Sequence, residues 1–143
     1  DPWFIISRSL EKSRLISTAR KVNDQKPIWV TDKIRRAIDD ASRRLIKKPK
    51  VACLGLAFKP DIDDLRGSPS LQVALTLQAE GHDVFLVEPN IQSNENICVE
   101  DLNYAIDNAD VIVVLVGHRQ FEEVVVKQKL ISKGAIDFCG ILN

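Results

Sequence analysis

The run Val51-Ala-Cys-Leu-Gly-Leu-Ala-Phe58 sets the class of fold expected for this chain, because none of its residues is charged and apolar and polar residues do not alternate in it. A short apolar run of this kind is typical of a strand buried on both faces of a parallel sheet. The next residues, 59–69, bring a dense set of charged side chains, a proline at each end and a glycine. The sequence therefore predicts a buried central strand followed by a polar loop.

Strands and helices alternate after this run. Ser68 and Pro69 form an N-cap and first-turn pair that predicts the start of a helix, and Gly81 predicts its end. The elements predicted beyond it are a strand over 84–87, a helix over 100–109, a strand over 111–116, a short helix over 121–129 and a strand over 135–138. This order predicts an α/β fold with a Rossmann-like, doubly wound parallel sheet.

Two amphipathic helices are predicted ahead of the sheet. Apolar residues recur at helical spacing from Val30 to Leu45, and a second apolar stripe covers 15–22. Pro27 stands between the stripes, where a helix can restart at its first turn. The stripes are wider than the following domain can cover, so we expect a homodimer built on these helices. The chain is divided accordingly into a helical linker and dimerisation segment, 1–48, and a ligand-binding domain, 49–143.

Composition narrows the class of function. The chain has 143 residues, of which 45% are hydrophobic, enough for one sizeable core. Twenty basic and twenty acidic residues cancel, which argues against a nucleic acid or an acidic membrane as partner. No stretch is long enough to span a membrane, there is no signal-peptide layout, and three cysteines are an odd number for disulfides, so we expect a cytoplasmic protein. With two histidines and no cluster of metal-binding residues, no metal site is expected.

The loop after the first strand is the first place to look for a ligand, because open parallel sheets bind ligands at the carboxyl ends of their strands. It lacks the Gly-x-Gly-x-x-Gly pattern that lets backbone approach a pyrophosphate, so this domain alone is not expected to bind NAD. Lys59 and Arg66 offer cations suited to phosphate oxygens. An equally open alternative is that both cations pair with Asp61, Asp63 and Asp64 in a surface loop.

Three further polar residues lie at predicted strand ends. Glu88 ends the second strand, where Rossmann folds place an acidic residue on a ribose hydroxyl, but without the glycine pattern a role in positioning the adjoining loop is favoured. His118 follows the third strand and is a candidate for lining the crevice. Asp137 lies in the last strand, where a buried carboxylate needs partners, so it either holds a loop or approaches the ligand.

The segment from Gly55 to Pro69, Gly-Leu-Ala-Phe-Lys-Pro-Asp-Ile-Asp-Asp-Leu-Arg-Gly-Ser-Pro, resembles a loop of the UDP-glucose/GDP-mannose dehydrogenase family. The motif is long and fairly specific. Other segments look most like the UDP-N-acetyl-D-mannosamine dehydrogenase branch of that family: Asp1-Pro-Trp-Phe-Ile-Ile, Ala19-Arg-Lys-Val-Asn-Asp24, Val87-Glu-Pro-Asn90, and Gly117-His118 followed by Phe121. The likeness covers nearly the whole chain.

This resemblance implies the C-terminal part of an NAD-dependent enzyme that oxidises the primary alcohol of a UDP-sugar to a carboxylate through a thiohemiacetal and a thioester on a Cys. The opening favours UDP-N-acetylmannosamine over UDP-glucose as substrate. The nucleophilic Cys is expected just ahead of Asp1, outside the chain, together with an N-terminal domain that binds NAD. A UDP-glucose dehydrogenase fragment, a stand-alone nucleotide-binding module and a purely structural dimerisation domain remain alternatives.

The resemblance also implies roles for individual residues. Phe58 and Lys59 would contact the UDP-sugar, and Arg66 would reach toward the NAD bound on the N-terminal domain. Asp1 would assist the water that hydrolyses the thioester. In the family the long helix joins the domains and pairs the subunits. A chain that opens without Met and lacks both the nucleophile and the NAD domain is expected to be a fragment without dehydrogenase activity.

Overall fold

The structure of this chain is a computed structural model that describes Phe4, Ser7, residues 13–93 and residues 95–143. Helices and strands alternate along most of the described chain. Their bounds, in chain order, are α1 (Arg14–Leu45), β1 (Lys50–Leu54), α2 (Pro69–Ala79), β2 (Asp83–Val87), α3 (Leu102–Asn108), β3 (Val111–Val114), α4 (Arg119–Glu122), α5 (Val124–Ser132) and β4 (Ile136–Asp137).

The four strands form one parallel sheet in the order β2-β1-β3-β4. After β1 the chain adds β2 on one side and then β3 on the other, so the strand order reverses beside β1. This arrangement confirms the predicted α/β, doubly wound fold. It also places the ligand crevice of such folds at the carboxyl ends of β1 and β3.

Strand β1 is buried on both faces, as its sequence predicts, because side chains at alternate positions face opposite layers of helices. Val51 and Cys53 pack in a core cluster with residues of α1 and α2. Ala52 and Leu54 pack in a second cluster with residues of α3 and α5. The sheet is therefore covered by helices on both sides.

Strand β1 ends before the apolar run does, because the backbone turns at Gly55. This glycine has φ +85°, and a Cβ built on it would lie 2.4 Å from the carbonyl oxygen of Val116. The backbone after β1 therefore passes directly against the backbone after β3, an approach that only glycine permits. Leu56 and Ala57 stay buried beyond this turn, and the chain reaches solvent at Phe58.

A single helix, α1, runs through Pro27, so the expectation of two separate helices was wrong. A proline inside a helix removes one hydrogen bond, and here the helix continues on both sides of that gap. Thr31 donates from its hydroxyl to the carbonyl of Pro27 at 2.8 Å, an additional bond within the turn that follows the proline. Beyond Pro27 the helix packs on the sheet through Val30, Ile34, Ile38 and Ala41. Packing of this apolar face offsets the cost of the proline.

The other element bounds lie within a few residues of the predicted ones. Ser68 accepts a hydrogen bond from the N–H of Leu71 at 3.2 Å and caps α2, with Pro69 in the first turn. The helix predicted over 121–129 is two helices, α4 and α5, that meet at Glu123. The division of the chain after residue 48 stays a prediction. Among the described residues, no helix has the length and apolar character that crossing a membrane requires.

Candidate functional site

Polar side chains from three strand ends converge beside β1. The loop 55–68 follows β1, Glu88 follows β2 directly, and His118 stands just before α4 in the segment after β3. Glu88 and His118 are buried, although both are polar. Their contacts with the loop determine what this edge of the sheet can bind.

Glu88 is bound to the turn that follows β1. Its Oε2 accepts hydrogen bonds from the backbone N–H groups of Leu56 at 2.8 Å and Ala57 at 2.9 Å. Its Oε1 accepts from the backbone and side-chain nitrogens of Asn90, both at 3.1 Å. In a dinucleotide-binding fold, the N–H groups of this turn face the pyrophosphate. Here a carboxylate of the chain itself already binds them, so the residues present do not fit an NAD pyrophosphate at this turn.

His118 connects Glu88 to the far end of the loop. Its Nδ1 lies 2.9 Å from the backbone nitrogen of Asp61, and its Nε2 lies 2.8 Å from Oε2 of Glu88. A backbone N–H can only donate, so Nδ1 must be the acceptor. The proton of the neutral ring therefore sits on Nε2 and is donated to Glu88. His118 does not line an open crevice, because its side chain is fully buried.

The environment of Glu88 favours its ionised form. Burial by itself would raise the pKa of this carboxyl, but hydrogen bonds from His118 and from the backbone N–H groups of Leu56 and Asn90 outweigh burial. The pKa of Glu88 consequently lies below its ordinary value. The favoured interpretation of Glu88, that it positions a loop, agrees with these contacts.

Asp61 holds the loop to the start of α4. It adopts φ +60°, a left-handed conformation that is uncommon outside glycine. Its carboxylate accepts from the backbone N–H of Arg119 at 2.9 Å and from the guanidinium Nε of the same residue at 3.0 Å. The backbone hydrogen bond from Arg119, aided by the charge of its guanidinium, lowers the pKa of Asp61. Asp61 is therefore engaged by Arg119, and it does not pair with Lys59.

The two cations singled out from the sequence have different surroundings. Lys59 is exposed, its ammonium lies 5.9 Å from the ring centroid of half-exposed Phe58, and it forms no ion pair with the described residues. Arg66 is 90% exposed and binds Asp64 through Nε and NH2, each at 2.9 Å. These bonds lower the pKa of Asp64 to about 2. The alternative of a local ion pair thus describes Arg66 but not Lys59.

An open cleft of about 380 Å³ lies beside Phe58. One wall is formed by Phe58 with Gly67, Pro69 and Gln72, and the other by residues of α1, namely Arg20, Asn23, Asp24 and Pro27. The cleft places the two ends of the loop opposite a polar stretch of the long helix. Asp1, the remaining candidate site residue, lies outside the described residues.

Asp137 holds a loop. Its carboxylate accepts hydrogen bonds from the backbone N–H groups of Cys139 at 2.9 Å, Gly140 at 2.8 Å and Leu142 at 2.8 Å. Burial would raise its pKa, but these bonds outweigh burial and lower it. The sequence left open whether Asp137 holds a loop or approaches a ligand. In this structure it holds a loop, because its carboxylate binds the backbone N–H groups of the residues that follow it.

Sequence reasoning missed the structural roles of Asp61, Asn90 and Arg119. Asp61 figured only as a counterion for Lys59 or Arg66, and Arg119 carried no signal, since exposed arginines are common on helices. Asn90, two residues after Glu88, could have been found, because asparagine tends to bond backbone and side chains close to it in turns. Within the described part of the chain, no group of three or more His, Cys, Asp or Glu residues could hold a metal ion.

Comparison with known proteins gives matches over this same region. Residues 52–143 match the family model described as "UDP-glucose/GDP-mannose dehydrogenase family, UDP binding domain". The chain is 48% identical over 132 residues to UDP-N-acetyl-D-mannosamine dehydrogenase of Campylobacter jejuni, covering 87% of this chain and 31% of that protein. It thus spans about a third of the length of such curated relatives.

Solved structures resemble the fold over most of the chain. The UDP-N-acetyl-mannosamine dehydrogenase Cap5O from Staphylococcus aureus matches with a TM-score of 0.71 and 30% identity, covering 87% of this chain and 28% of that one. A UDP-D-ManNAc dehydrogenase from Pyrococcus horikoshii matches with a TM-score of 0.75 and 26% identity, covering 99% of this chain and 34% of that one.

Proposed function

This chain belongs to the UDP-glucose/GDP-mannose dehydrogenase family, and on that premise we propose that it is the UDP-sugar-binding part of an NAD-dependent UDP-N-acetyl-D-mannosamine dehydrogenase. The whole enzyme would oxidise the primary alcohol of the sugar to a carboxylate in two hydride transfers. The similar curated proteins are UDP-N-acetyl-D-mannosamine dehydrogenases, which supports UDP-N-acetylmannosamine over UDP-glucose as the substrate. The observation that carries the proposal is exposed Lys59, which stands at the ligand-binding edge of the matched domain without a carboxylate partner among the described residues.

Phe58 and Lys59 would make the substrate contacts. A lysine ammonium is a compact charge that suits the oxygens of a diphosphate. The ring of Phe58 is half-exposed beside the cleft and offers an apolar surface to a nucleotide or a sugar. The backbone around both residues is held on either side, at Ala57 and at Asp61, so the lysine side chain starts from a defined place.

Arg66 would serve the NAD side. It lies beyond the loop tip, just ahead of α2, with its side chain 90% exposed. In the structure its guanidinium is bound to Asp64, so reaching a cofactor phosphate would mean exchanging one anion for another. The NAD itself would be bound by the N-terminal domain of the whole protein, and Asp1 would assist thioester hydrolysis, as the family resemblance implies.

Two of the three cysteines of the chain are poorly suited to act as a nucleophile. Cys53 is buried in β1, and burial raises the pKa of its thiol to about 12. Partial desolvation of its sulfur and the hydrogen bond to Asp137 raise the pKa of Cys139 to about 12 as well. Because a thiolate is the reactive form, neither residue is suited to nucleophilic catalysis. With Glu88 occupying the N–H groups after β1, we propose that this chain alone does not oxidise a UDP-sugar.

A homodimer would be built on α1. Ahead of the part that packs on the sheet, the helix exposes several large apolar side chains: Leu15, Val22, Ile28 and Trp29 are 83%, 63%, 63% and 47% exposed. Burying such a surface against a second copy is favourable, and twofold pairing is the commonest form of association. The three cysteines are free thiols, which supports a reducing compartment such as the cytoplasm.

Isothermal titration of UDP into the chain tests the proposal. We expect saturable binding of UDP and much weaker binding of uridine, because the diphosphate carries the charge that Lys59 recognises. Equal binding of UDP and uridine would contradict the role of Lys59. No binding of either would favour the alternative of a purely structural dimerisation domain.

A further inference from the structure

A hydrogen-bond network that is buried at Glu88 and His118 and exposed at Asp61 and Arg119 joins the ends of three strands to the loop that carries Lys59. We call Glu88, His118, Asp61 and Arg119 the turn clamp. Glu88 binds the N–H groups of Leu56 and Ala57 and receives a hydrogen bond from His118. His118 accepts a hydrogen bond from the backbone N–H of Asp61, which is two residues beyond Lys59, and Arg119 donates to the Asp61 carboxylate.

Lys59 therefore lies between two fixed points. Ala57, two residues before it, is bound to Glu88, and Asp61, two residues after it, is bound to His118 and Arg119. The residue after Lys59 is Pro60, whose ring restricts the backbone further. A lysine in an ordinary surface loop would lose more backbone freedom on binding, whereas the backbone of this one is held on both sides.

The backbone conformation of Asp61 depends on the hydrogen bonds around it. A left-handed conformation in a residue other than glycine persists only where the surroundings hold it. The N–H of Asp61 is bound by Nδ1 of His118, which is also 3.1 Å from the side-chain nitrogen of Asn90. Two donors thus converge on one acceptor. Without an acceptor at the position of Nδ1 of His118, the turn would lose the hydrogen bond that holds the backbone N–H of Asp61.

We propose that His118 is a positioning residue for UDP-sugar binding. Held by Glu88 with its proton on Nε2, it uses Nδ1 to fix the turn at Asp61 and so presents Lys59 to the phosphates. It touches no ligand itself, because its side chain is fully buried. This inference rests on the proposed function, in which Lys59 binds UDP.

Two substitutions of His118 separate its two contacts. In His118→Asn the amide oxygen can take the place of Nδ1 and accept from Asp61, while the contact with Glu88 is lost. In His118→Gln the amide nitrogen can reach Glu88, while the acceptor for Asp61 is lost. UDP affinity should fall about tenfold in His118→Gln and stay close to wild type in His118→Asn. Urea unfolding of both variants establishes that each is folded at the titration temperature.

A double-variant cycle links His118 to Lys59. Lys59→Ala alone measures the proposed function. If His118 acts through Lys59, the double variant Lys59→Ala with His118→Gln should bind UDP no more weakly than Lys59→Ala alone. Additive losses would overturn the inference, as would equal affinity in His118→Gln and His118→Asn. Wild-type affinity in Lys59→Ala would overturn the proposed function together with the inference.

An exposed residue tests the clamp even if the histidine variants do not fold. Asp61→Ala removes the bond to Arg119 and places alanine in a left-handed conformation, so UDP affinity should fall by a factor similar to that in His118→Gln. Asp63→Ala is the matched control, since it removes the same charge from the same exposed loop without touching the clamp. If Lys59→Ala weakens binding but Asp61→Ala and Asp63→Ala bind alike, the inference is wrong.

Discussion

Nε2 of His118 lies 2.8 Å from Oε2 of Glu88, and both side chains are fully excluded from solvent. The same carboxylate oxygen accepts the N–H groups of Leu56 and Ala57 after β1. In a fold whose first turn commonly binds a cofactor phosphate, the chain thus supplies the anion itself, from the residue that follows β2. Lys59, the cation proposed to bind the ligand, follows this turn and is exposed.

The first prediction concerns acid stability. The pKa of Glu88 is lower in the folded chain than its ordinary value, so its contribution to the free energy of unfolding is full above about pH 5 and is lost as pH falls through the folded pKa. Glu88→Gln should lower the free energy of unfolding at pH 7 by about 1 to 3 kcal/mol. Urea unfolding of both proteins between pH 7 and pH 3 should show a smaller difference at the acid end.

Several other carboxyls also have lowered pKa values, among them Asp61, Asp64 and Asp137. The comparison between wild type and variant removes their shared contribution. Glu122→Gln, at an exposed carboxylate of α4, is the control and should leave the stability curve nearly unchanged. A stability difference between wild type and Glu88→Gln that stays constant with pH would refute the assignment.

The second prediction separates the two cations. Lys59→Ala should weaken UDP binding by about 1 to 3 kcal/mol, the range for losing a charged hydrogen bond, while Arg66→Ala should leave it nearly unchanged. Calorimetry on both variants checks this, with Lys48→Ala as control because that exposed lysine precedes β1 at the opposite edge of the sheet. Equal losses would mean that both cations bind the same phosphates.

The third prediction concerns the contact between the turns after β1 and β3. Gly55→Ala should destabilise the chain more than Gly81→Ala, since both glycines have positive φ but only Gly55 has backbone within van der Waals distance of the added carbon. The excess should be about 1 to 3 kcal/mol, the usual cost of overpacking. Urea unfolding of the two variants measures it, and similar losses would argue against a close contact at Gly55.

The fourth prediction tests the dimer. Val22→Lys places a charge on the exposed apolar part of α1 and should shift the chain from dimer to monomer in multi-angle light scattering. Val125→Lys makes the same change at a 77% exposed position of α5 and should leave the dimer intact. A wild-type chain that is monomeric at high concentration would show that α1 does not pair.

The fifth prediction concerns activity. The chain should form no NADH above background from UDP-N-acetylmannosamine and NAD, because Glu88 occupies the turn after β1 and two of the three cysteines, Cys53 and Cys139, are poor nucleophiles. Absorbance at the NADH band over a long incubation measures this, with a complete family enzyme as positive control. Steady NADH formation would contradict the proposal that this chain alone does not oxidise a UDP-sugar.

The alternation of strands and helices could be predicted from sequence because its signals are local. The unbroken apolar run at β1, the Ser68 and Pro69 cap and the stop at Gly81 each act within a few residues of their own position. The continuation of α1 through Pro27 could not be predicted, since the face that offsets the proline packs on a sheet later in the chain.

The sequence by itself determined the α/β fold, the strand that ends in a charged loop and the identity of Lys59, Phe58 and Arg66 as candidate ligand contacts. Only the tertiary structure decided which of these charges are already paired and what holds the loop. Glu88 and His118 are 30 residues apart, and His118 and Asp61 are 57 apart. Such contacts follow from the order of the strands, which brings distant chain segments to one edge of the sheet, and no local pattern of residues encodes them.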